Sequence, residues 1–521
     1  MSQGALRRPG LDAAQVERWL SLVCASPDAH RTTQRSPLDL EPTITVPHST
    51  EDDVDRAFAD AHAAQQRWAA TSMRERARVL RRFHDLVLDR QALLCDVIQW
   101  ENGKARTHAM DEVLDVALVS RYYARRSARL LAPKRRRGAF PLVTRTWELR
   151  APKGVVAVIS PWNYPLDIGV TDLIPAVMAG NGVVWKPDLQ TMLTALIALD
   201  LLHAAGLPRG LVQVVAGEGP VVGPMLVDRG DYVQFTGSTN TGRTVAARAA
   251  QRLVGCSLEL GGKNACIVLP DADLTKAVDI ALRGAFVNAG QLCIGTERIF
   301  VHELIADAFR SALAAAARDL TLGANIGWGS AMGPLISPAQ FARAEAHVRD
   351  AFDKGADLLV GGRPRPELGP LVYEPTVLLN VAEGMEAHRN ETFGPVASLY
   401  VWRDEDELVQ RVNDTEYGLS ASIVTPSVRH ARALAARLRV GGVNINEAFG
   451  AAYASIDAPM GGMRASGLGR RHGAEGLLKY TEAQTIAAQR VLPLAPGRFT
   501  DEQWARVATL ALRILKMLRF R

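Results

Sequence analysis

The sequence predicts an α/β protein with a parallel sheet, and three observations lead to this fold class. From Val155 to Val268, short β-branched runs alternate with amphipathic stretches of helix length, which is typical of parallel strands joined by crossover helices. Glycine or proline punctuates each junction, where the chain must turn. At 521 residues the chain exceeds one ordinary hydrophobic core, so we expect two or more domains.

The strands of the first α/β region follow from its apolar runs. They are predicted at Val155 to Ile159, Val183 to Lys186, Val212 to Val215, Tyr232 to Thr236 and Ser257 to Leu260. Upstream, residues 50 to 131 have helical spacing and are predicted to form helices that cover this sheet. The alternation restarts between residues 263 and 458, which indicates a second α/β domain. Its apolar runs are Ala265 to Leu269, Arg298 to Val301 and Ala397 to Val401.

The composition is that of a soluble globular protein, with 48% hydrophobic and 22% charged residues. A net charge of +6 is spread over many residues, which argues against nucleic-acid binding. The N-terminal segment lacks the apolar core of a signal peptide, and no run of about 18 uncharged apolar residues predicts a spanning helix. Five widely spaced cysteines fit a reducing compartment, so we expect a cytoplasmic protein.

Two basic segments need an interpretation. Residues 134 to 137, between Pro133 and Gly138, are predicted to form a solvated turn. The run from Trp504 to Arg521 sets apolar residues at helical spacing with cations on another face, which predicts an amphipathic basic helix. Such a helix packs on its own protein or on a subunit partner, or it lies on an anionic membrane surface. The sequence leaves these alternatives open.

One cysteine lies in a segment too rich in small and polar residues for core packing. Residues 288 to 293 read Asn-Ala-Gly-Gln-Leu-Cys and end at the thiol of Cys293. A cysteine taken singly is more often a small buried hydrophobe than a reactive group. A nucleophilic cysteine needs partial exposure, and the neighbouring Gly290 and Gln291 leave space for substrate and cofactor. Cys293 is therefore a candidate nucleophile.

Two further residues are candidates for the same chemistry. Glu259 ends an apolar strand before two glycines, and burial there would raise its pKa towards that of a general base for water. Its structural alternative is an ion pair with Lys263. Asn163 lies in a stiff loop between Pro161 and Pro165, where its amide can donate to a developing oxyanion. Taken alone, Asn163 would be interpreted as a turn residue.

In combination these segments resemble the aldehyde dehydrogenase superfamily, from about residue 40 to residue 490. The landmarks follow the order of that family: Pro161-Trp162-Asn163-Tyr164-Pro165, Lys186-Pro187, Phe235-Thr236-Gly237-Ser238, Glu259-Leu260-Gly261-Gly262-Lys263, Gly290-Gln291-Leu292-Cys293, Glu391-Thr392-Phe393-Gly394-Pro395 and Ser466-Gly467-Leu468-Gly469. Within the superfamily the chain is most similar to actinobacterial succinate-semialdehyde dehydrogenase-like proteins. That likeness lies in Lys186-Pro187-Asp188, Ala458 to Met463 and Gly469 to Gly473.

The resemblance implies a catalytic mechanism. The Cys293 thiolate attacks an aldehyde, and the Asn163 side chain and the Cys293 backbone amide hold the oxyanion. Hydride then passes to a nicotinamide, and Glu259 activates water to hydrolyse the thioester. A coenzyme-A acylating relative typically lacks that glutamate, so the expected product is the free acid.

The resemblance also implies a set of cofactor-binding residues and no metal site. Lys186 would bind the adenosine ribose, and Gly237 and Ser238 would meet the pyrophosphate at a helix start. Glu391 and Phe393 would surround the nicotinamide ribose, and Trp162 and Gly242 complete the set. Gly217, Gly219 and Gly223 lack the G-x-G-x-x-G spacing and are predicted to form a strand-to-helix turn.

Several positions depart from the family pattern. Leu189 stands where many NAD-preferring members have a glutamate that grips the adenosine ribose, which favours NADP over NAD on Coulomb grounds. Two arginines that grip the substrate carboxylate in better-known succinate-semialdehyde dehydrogenases are replaced by Thr171 and Val287. Ser455 matches a serine that assists those arginines, but a serine without a cation binds a carboxylate weakly.

A lysine of many relatives is replaced by Asp172 on the helix after the asparagine loop. We hypothesise that Asp172 and Glu482 share a proton and relay it from Glu259. The pair Thr481-Glu482 could equally be structural.

The resemblance implies a division of the chain into domains and a homodimer or homotetramer. The expected parts of this aldehyde dehydrogenase-like fold are an N-terminal extension (1–39), a Rossmann-type cofactor-binding domain (40–138 and 155–262), an α/β catalytic domain (263–458), a small β element of oligomerisation strands (139–154 and 483–495) and a C-terminal amphipathic helix (496–521).

Two alternative functions stay open at this stage. One is a medium or long-chain aldehyde dehydrogenase at a membrane surface, which the basic C-terminal helix and the missing arginines favour. The other is a catalytically silent binding member, against which the retained Cys293, Glu259 and Asn163 argue.

Overall fold

The computed structural model describes residues 9–138, 143–490 and 494–518. The chain forms two compact units. The first comprises the residues up to Leu130 together with Pro152–Thr481, and the second comprises Leu131–Ala151 and the residues from Glu482 onward. These units do not follow the expected division into domains one to one, and the domain boundaries stay predictions.

The helices predicted upstream of the first sheet, in residues 50 to 131, are confirmed as α2 to α5. The α-helices of the described residues are α1 (Ala13–Leu20), α2 (Glu51–Ala69), α3 (Met73–Asp89), α4 (Gln91–Asn102), α5 (Arg106–Leu131), α6 (Asp167–Met178), α7 (Met192–Ala205), α8 (Gly219–Val227), α9 (Thr239–Gln251), α10 (Leu274–Phe286), α11 (Ala306–Arg318), α12 (Pro338–Asp353), α13 (Glu386–Arg389), α14 (Glu405–Asn413), α15 (Val428–Ala435), α16 (Gly450–Tyr453), α17 (Gly473–Leu478) and α18 (Asp501–Met517). Thr50 and Ser72 begin α2 and α3 with capping boxes, in which the side chain and the backbone satisfy each other's hydrogen bonds.

The strands of the described residues form four sheets. They are β1 (Arg31–Arg35), β2 (Pro42–Pro47), β3 (Lys134–Arg137), β4 (Thr144–Pro152), β5 (Val155–Ile159), β6 (Gly182–Lys186), β7 (Val212–Val214), β8 (Tyr232–Thr236), β9 (Gly255–Glu259), β10 (Asn264–Val268), β11 (Thr296–His302), β12 (Asp357–Val360), β13 (Thr376–Leu379), β14 (Val396–Trp402), β15 (Ser420–Val424), β16 (Gly442–Ile445), β17 (Gly467–Leu468) and β18 (Thr481–Gln489). The hairpin of β1 and β2 spans the predicted boundary at residue 39.

The first α/β region is a six-stranded sheet with the order β17-β9-β8-β5-β6-β7. Its strands are parallel except β17, which runs antiparallel to β9. All five predicted strands are confirmed: β5 and β8 have the predicted bounds, and β9 begins and ends earlier than predicted. The turn predicted around Gly217 is also confirmed, because it joins β7 to the start of α8 at Gly219.

A seven-stranded sheet follows, with the order β12-β13-β14-β11-β10-β15-β16. Among the described residues, β12 pairs antiparallel with β13, and the other neighbouring strands of this sheet are parallel. The three predicted apolar runs lie in β10, β11 and β14. Every residue of β10 is buried, as expected for a strand covered on both faces.

The second unit contains a three-stranded sheet with the order β18-β4-β3. The turn predicted at residues 134 to 137 is wrong, because these residues form strand β3 and pair antiparallel with β4. Lys134 lies opposite Glu148 in this ladder, and the Arg136 side chain donates to the Glu148 carboxylate at 2.7 Å. This carboxylate offsets part of the positive charge that otherwise favours a solvated turn.

Helix α18 in the same unit confirms the predicted C-terminal helix, although it begins at Asp501, before Trp504. Its apolar residues are exposed, including Val507, Leu510 and Met517. No described helix combines the length and the apolar character that crossing a bilayer requires.

Candidate active site

A cleft of about 190 Å³ lies in the first unit, where parallel strands of the six-stranded sheet end. Loops after β5, β8 and β9 reach it, which is where α/β sheets generally bind ligands. The described residues that line the cleft are Pro161, Trp162, Asn163, Ile168, Thr236, Gly237, Ser238, Glu259, Leu260, Gly261, Cys293, Gln340, Arg343, Glu391 and Phe393. The three predicted catalytic side chains therefore meet in one cavity, although they are far apart in sequence.

The loop that carries Asn163 is held by buried charges. The Lys104 ammonium donates to the Asn163 carbonyl oxygen and to the Glu112 carboxylate, each at 2.6 Å. It also lies 3.6 Å from the centre of the Tyr164 ring. The Asn163 amide donates to the Gln291 carbonyl at 3.2 Å, and its second N–H can donate into the cleft.

The segment before Cys293 has an unusual backbone. Asn288, Ala289 and Gly290 all have positive φ angles, of 49°, 52° and 73°. A Cβ atom at Gly290 would lie 1.9 Å from the Gly394 carbonyl oxygen, so only glycine fits at this position. Strain of this kind persists only where the surrounding structure supports it, as at active sites.

The Cys293 thiol is half-buried at the end of this segment. Burial raises its pKa to about 12, and the carboxylates of Glu391 and Glu259 contribute in the same direction. A thiol in this environment is protonated at neutral pH. Reaction therefore requires a base to accept the proton as the sulfur attacks, and the Glu259 carboxylate lines the same cleft.

The Glu259 side chain has the properties that we expected of a general base. It is buried, and its Oε1 atom has no hydrogen-bond partner among the described residues. Burial raises its pKa to about 7, and the charges of Arg471 and Lys479 act in the opposite direction. A base with this pKa is partly ionised at neutral pH. The alternative pairing with Lys263 is wrong, because that ammonium donates to Glu297 at 2.5 Å.

Glu297 organises the opposite wall of the cleft, and sequence reasoning missed it. Its carboxylate accepts hydrogen bonds from the backbone N–H groups of Thr392 and Phe393, each at 2.9 Å. Glu391 and Phe393 are thereby placed at the cleft, and the Phe393 ring meets Trp162 edge to face at 5.5 Å. Burial raises the pKa of Glu391 to about 8, and the Glu297 charge contributes.

Only some of the residues predicted to bind the nucleotide line the cleft. Gly237 and Ser238 line the cleft, and the Ser238 hydroxyl caps α9 by accepting from the Thr241 N–H at 3.3 Å. A helix N-terminus of this kind favours phosphate. Gly242 packs against Leu260, where a Cβ atom would lie 2.4 Å from that side chain. Gly242 and Lys186 do not line the cleft in the structure.

Lys186 is the last residue of β6 and is buried. Burial lowers the pKa of its ammonium, and the carboxylates of Asp188 and Glu218 oppose this change. The Coulomb argument for NADP from Leu189 was therefore incomplete, because two carboxylates act on the lysine that we expected beside the ribose. Leu189 itself is buried.

The surroundings of Cys293 on the side of α6 are apolar. The buried members of this cluster are Tyr164, Ile168, Val287, Leu292, Ile294 and Leu419, and Phe449, Tyr453 and Met460 pack against them. Val287 thus stands inside an apolar wall where better-known relatives have an arginine. Thr171 is buried, and the exposed Ser455 donates to the Ala451 carbonyl at 2.7 Å.

Asp172 is buried on α6 and has two cationic partners. The Arg471 guanidinium donates to it at 2.6 Å, and the Lys479 ammonium lies 3.7 Å away. Asp172 is therefore an ion-paired carboxylate, and the proton relay that we hypothesised between Asp172 and Glu482 stays a prediction. No spacing signal could have predicted the pair of Asp172 and Arg471, since its members are 299 positions apart.

Chemistry based on a thiol, a carboxylate and a nucleotide fits these residues. Gln340 and Arg343 are further cleft residues that sequence reasoning missed. Among the residues that the structure describes, no group of three or more His, Cys, Asp or Glu is arranged to hold a metal ion.

Comparison with known proteins identifies the family that this sequence matches. The model of the aldehyde dehydrogenase family matches residues 25–486. A protein of Mycolicibacterium smegmatis, provisionally named succinate-semialdehyde dehydrogenase (NADP+), is 49% identical over 91% of this chain and 92% of its own length. A protein of Mycobacterium tuberculosis with the provisional name succinate-semialdehyde dehydrogenase (NADP+) 2 is 50% identical over 88% of each chain.

Solved structures give the same result. The NAD+ complex of an aldehyde dehydrogenase from Bacillus cereus is similar with a TM-score of 0.87 and 30% identity. The match covers 93% of this chain and 100% of that chain.

Proposed function

Because the chain belongs to the aldehyde dehydrogenase family, we propose that it is an NAD(P)-dependent enzyme that oxidises an aldehyde to a carboxylic acid through a thioester on Cys293. One observation carries this proposal: Cys293, Glu259 and Asn163 line one cleft. A catalytically silent member would have no need to keep a strained loop, an unpartnered buried carboxylate and a fixed amide in the same cavity.

In the first half of the proposed reaction, the Cys293 sulfur bonds to the aldehyde carbon. The thiol proton leaves to Glu259, whose pKa of about 7 suits it to accept a proton at neutral pH. The carbonyl oxygen becomes an oxyanion, and the Asn163 amide and the Cys293 backbone N–H stabilise it. Both donors belong to segments that other residues already hold in place.

In the second half, Glu259 first releases the thiol proton to solvent and returns to its carboxylate form. It then accepts a proton from water, and the water oxygen attacks the thioester carbon. The carbon–sulfur bond breaks, the acid leaves, and the Cys293 thiolate is regenerated. The carboxylate form of Glu259 is needed for this step, so hydrolysis is expected to slow as the pH falls through about 7.

The residues at the cleft, together with Lys186 outside its lining, fit a bound NAD(P). The N-terminus of α9 with Gly237 and Ser238 would hold the pyrophosphate, Lys186 the adenosine ribose, and Trp162, Glu391 and Phe393 the nicotinamide side. When bound, the nicotinamide accepts the hydride that turns the Cys293 adduct into a thioester. Gly242 supports this role indirectly, by letting α9 approach Leu260.

We propose succinate semialdehyde as the substrate, because two relatives about half identical to the chain carry that name. A second candidate follows from a specific observation. The side chains around Cys293 are apolar, and the family arginine positions hold Thr171 and Val287, so an uncharged medium-chain or long-chain aldehyde is favoured on contact grounds.

A substrate screen separates these candidates. The purified protein is assayed with succinate semialdehyde, hexanal, dodecanal and benzaldehyde, each with NAD and with NADP, by the absorbance of the reduced cofactor. We expect activity with at least one aldehyde, and the ratio of kcat/KM for succinate semialdehyde to that for hexanal identifies the substrate class. A protein that reduces neither cofactor with any of these aldehydes contradicts the proposed function.

Removal of the Asn163 amide, the proposed oxyanion donor, is expected to lower kcat. Asn163→Ala is expected to lower kcat by about 100-fold to 1000-fold, the usual effect of losing one oxyanion donor. KM for the aldehyde should change much less, because the interaction strengthens only in the transition state. The control is Asn325→Ala, at an exposed position between α11 and α12 that does not line the cleft. A kcat within twofold of wild type for Asn163→Ala would exclude this role.

We also propose a cytoplasmic homodimer or homotetramer. The segments at 139–154 and 483–495 resemble strands that such enzymes exchange between subunits, and β4 and β18 pair within one sheet of the second unit. Residues 139–142 and 491–493 of these segments lie outside the described part of the chain.

A further inference from the structure

A buried ion pair lies beside the catalytic carboxylate and has no part in the reaction as proposed above. Asp172 and Arg471 have side chains only 3% and 5% exposed, and they are joined at 2.6 Å. The same Arg471 guanidinium donates to the Thr236 hydroxyl at 3.1 Å. Thr236 lines the cleft and pairs with Glu259 in the ladder between β8 and β9. The Asp172–Arg471 pair is therefore hydrogen-bonded to Thr236, the neighbour of the general base Glu259 on the adjacent strand.

The cost of this arrangement suggests that it serves the site. Moving two charges out of water is expensive, and a buried ion pair is often no more stabilising than an apolar pair of similar volume. Lys479 adds a third buried charge at 3.7 Å from Asp172, and it donates to the Gln234 side chain at 2.8 Å. Stability alone is therefore a weak explanation for three charges in one buried place.

Charged groups reach Glu259 from each element packed around it. Asp172 comes from α6, Arg470 and Arg471 from the segment before α17, Lys479 from the end of α17, and the Cys293 thiol from the catalytic loop. The Glu259 Oε1 atom has no hydrogen-bond partner among the described residues. Burial sets the raised pKa of Glu259, and nearby charge, more than a fixed hydrogen bond, adjusts how readily this oxygen holds a proton.

Within the set of Asp172, Glu259, Arg471 and Lys479, the charges sum to zero when Glu259 is ionised, and Asp167 is a further buried carboxyl group whose charge acts on Arg471. Asp172 and Glu259 then carry two negative charges against the two positive charges of Arg471 and Lys479. Protonation of Glu259 would leave this set of four groups with one net positive charge, in a low-dielectric environment where opposite charges attract more strongly than in water. Arg471 therefore favours the carboxylate, and Asp172 weakens that effect by neutralising part of the positive charge.

We propose that Arg471 and Asp172 are positioning residues that act in opposite directions on the proton affinity of Glu259 and so set the pH at which the thioester is hydrolysed. This inference rests on the proposed function and deepens it. Neither residue contacts the reacting atoms in this scheme. Both act through the charge that they place beside Glu259.

The test compares Arg471→Met with Asp172→Asn. The probe is the acylated protein, formed with the best aldehyde of the screen and one equivalent of cofactor. Its loss is followed by acid quench and mass spectrometry from pH 5 to pH 9. This step is chosen because Arg471 also acts on the Cys293 thiol, which in the thioester is already bonded.

The two variants are expected to shift the acid limb of hydrolysis in opposite directions. The acid limb is the part of the pH profile in which the hydrolysis rate rises with pH as Glu259 ionises. A neighbouring opposite charge lowers a carboxyl pKa by about 1 to 3 units, so Arg471→Met should move the limb upward by about one pH unit or more. Hydrolysis at pH 6 should then fall by about tenfold, with recovery at pH 9. Asp172→Asn removes a like charge and should move the limb downward. Damage to the fold would lower both rates without opposite shifts.

Controls keep the outcome interpretable. Arg471→Lys keeps the charge and should move the limb much less than Arg471→Met. Arg248→Met and Asp228→Asn remove the members of a half-buried pair that does not line the cleft, and they should leave the limb unchanged. If Arg471→Met does not fold, Lys479→Met tests the same direction. Limbs that coincide with wild type, or that move the same way in Arg471→Met and Asp172→Asn, overturn the inference. A wild-type protein that never acylates contradicts the proposed function instead.

Discussion

Cys293→Ala is expected to abolish formation of the reduced cofactor. Removing a covalent nucleophile costs on the order of a millionfold in well-studied hydrolases, so turnover should fall by at least about 10,000-fold. No thioester can form without the sulfur, so mass spectrometry of the protein mixed with aldehyde and cofactor should detect no acyl adduct. Steady-state absorbance and an acid-quenched mass spectrum check the two expectations.

The chain offers a matched control for this variant. Cys256 is another half-buried thiol, on β9, the strand that ends at Glu259. It does not line the cleft. Cys256→Ala should keep wild-type turnover and the acyl adduct. If Cys293→Ala keeps more than about one hundredth of the wild-type rate, the covalent mechanism is wrong.

Glu259→Gln is expected to separate the two halves of the reaction. A general base contributes about 100-fold to 10,000-fold, so thioester hydrolysis and steady-state turnover should fall by that factor. The variant should still release a burst of up to one reduced cofactor per active site, because hydride transfer precedes hydrolysis. Rapid mixing with excess aldehyde measures the burst, and the acylated protein should accumulate in the mass spectrum.

The rate of the burst also tests the first proton transfer, from the Cys293 thiol to Glu259. If Glu259 accepts the Cys293 proton, the burst in Glu259→Gln should be slow at pH 7 and faster at high pH. The reason is that the Cys293 thiol has a pKa of about 12, and without the Glu259 carboxylate it must lose its proton to solvent. Wild-type hydrolysis should lose activity as the pH falls through about 7, where the carboxylate is protonated. Unchanged steady-state turnover in Glu259→Gln would be incompatible with a role in either step.

The strands of the sheets were the most predictable part of the fold. A run such as Val155 to Ile159 is apolar throughout and bounded by turn residues, so local composition defines it. Residues 134 to 137 show the limit of this reasoning. Four consecutive cations have no apolar alternation, and their strand depends on the partner strand β4, in which Glu148 lies opposite Lys134. Local sequence carries no such information about a partner.

The site was predictable where one short segment carries the chemistry. Cys293, Glu259 and Asn163 each stand in a distinctive run of residues, and their roles stay predictions that the variants above test. The surrounding charges could not be foreseen, because Lys104, Glu297 and Arg471 contact residues distant in sequence. The sequence marks Asp172 only as a departure from the family pattern, and the structure shows its partner Arg471.

The buried pair of Lys104 and Glu112 determines when the oxyanion loop becomes ordered. Lys104 holds the Asn163 carbonyl, and Glu112 accepts the backbone N–H groups of Leu166 and Asp167 at 2.9 and 3.0 Å. These contacts form as the chain folds. The loss of conformational freedom of the amide donor is therefore incurred once in the lifetime of each molecule and not again in every catalytic cycle.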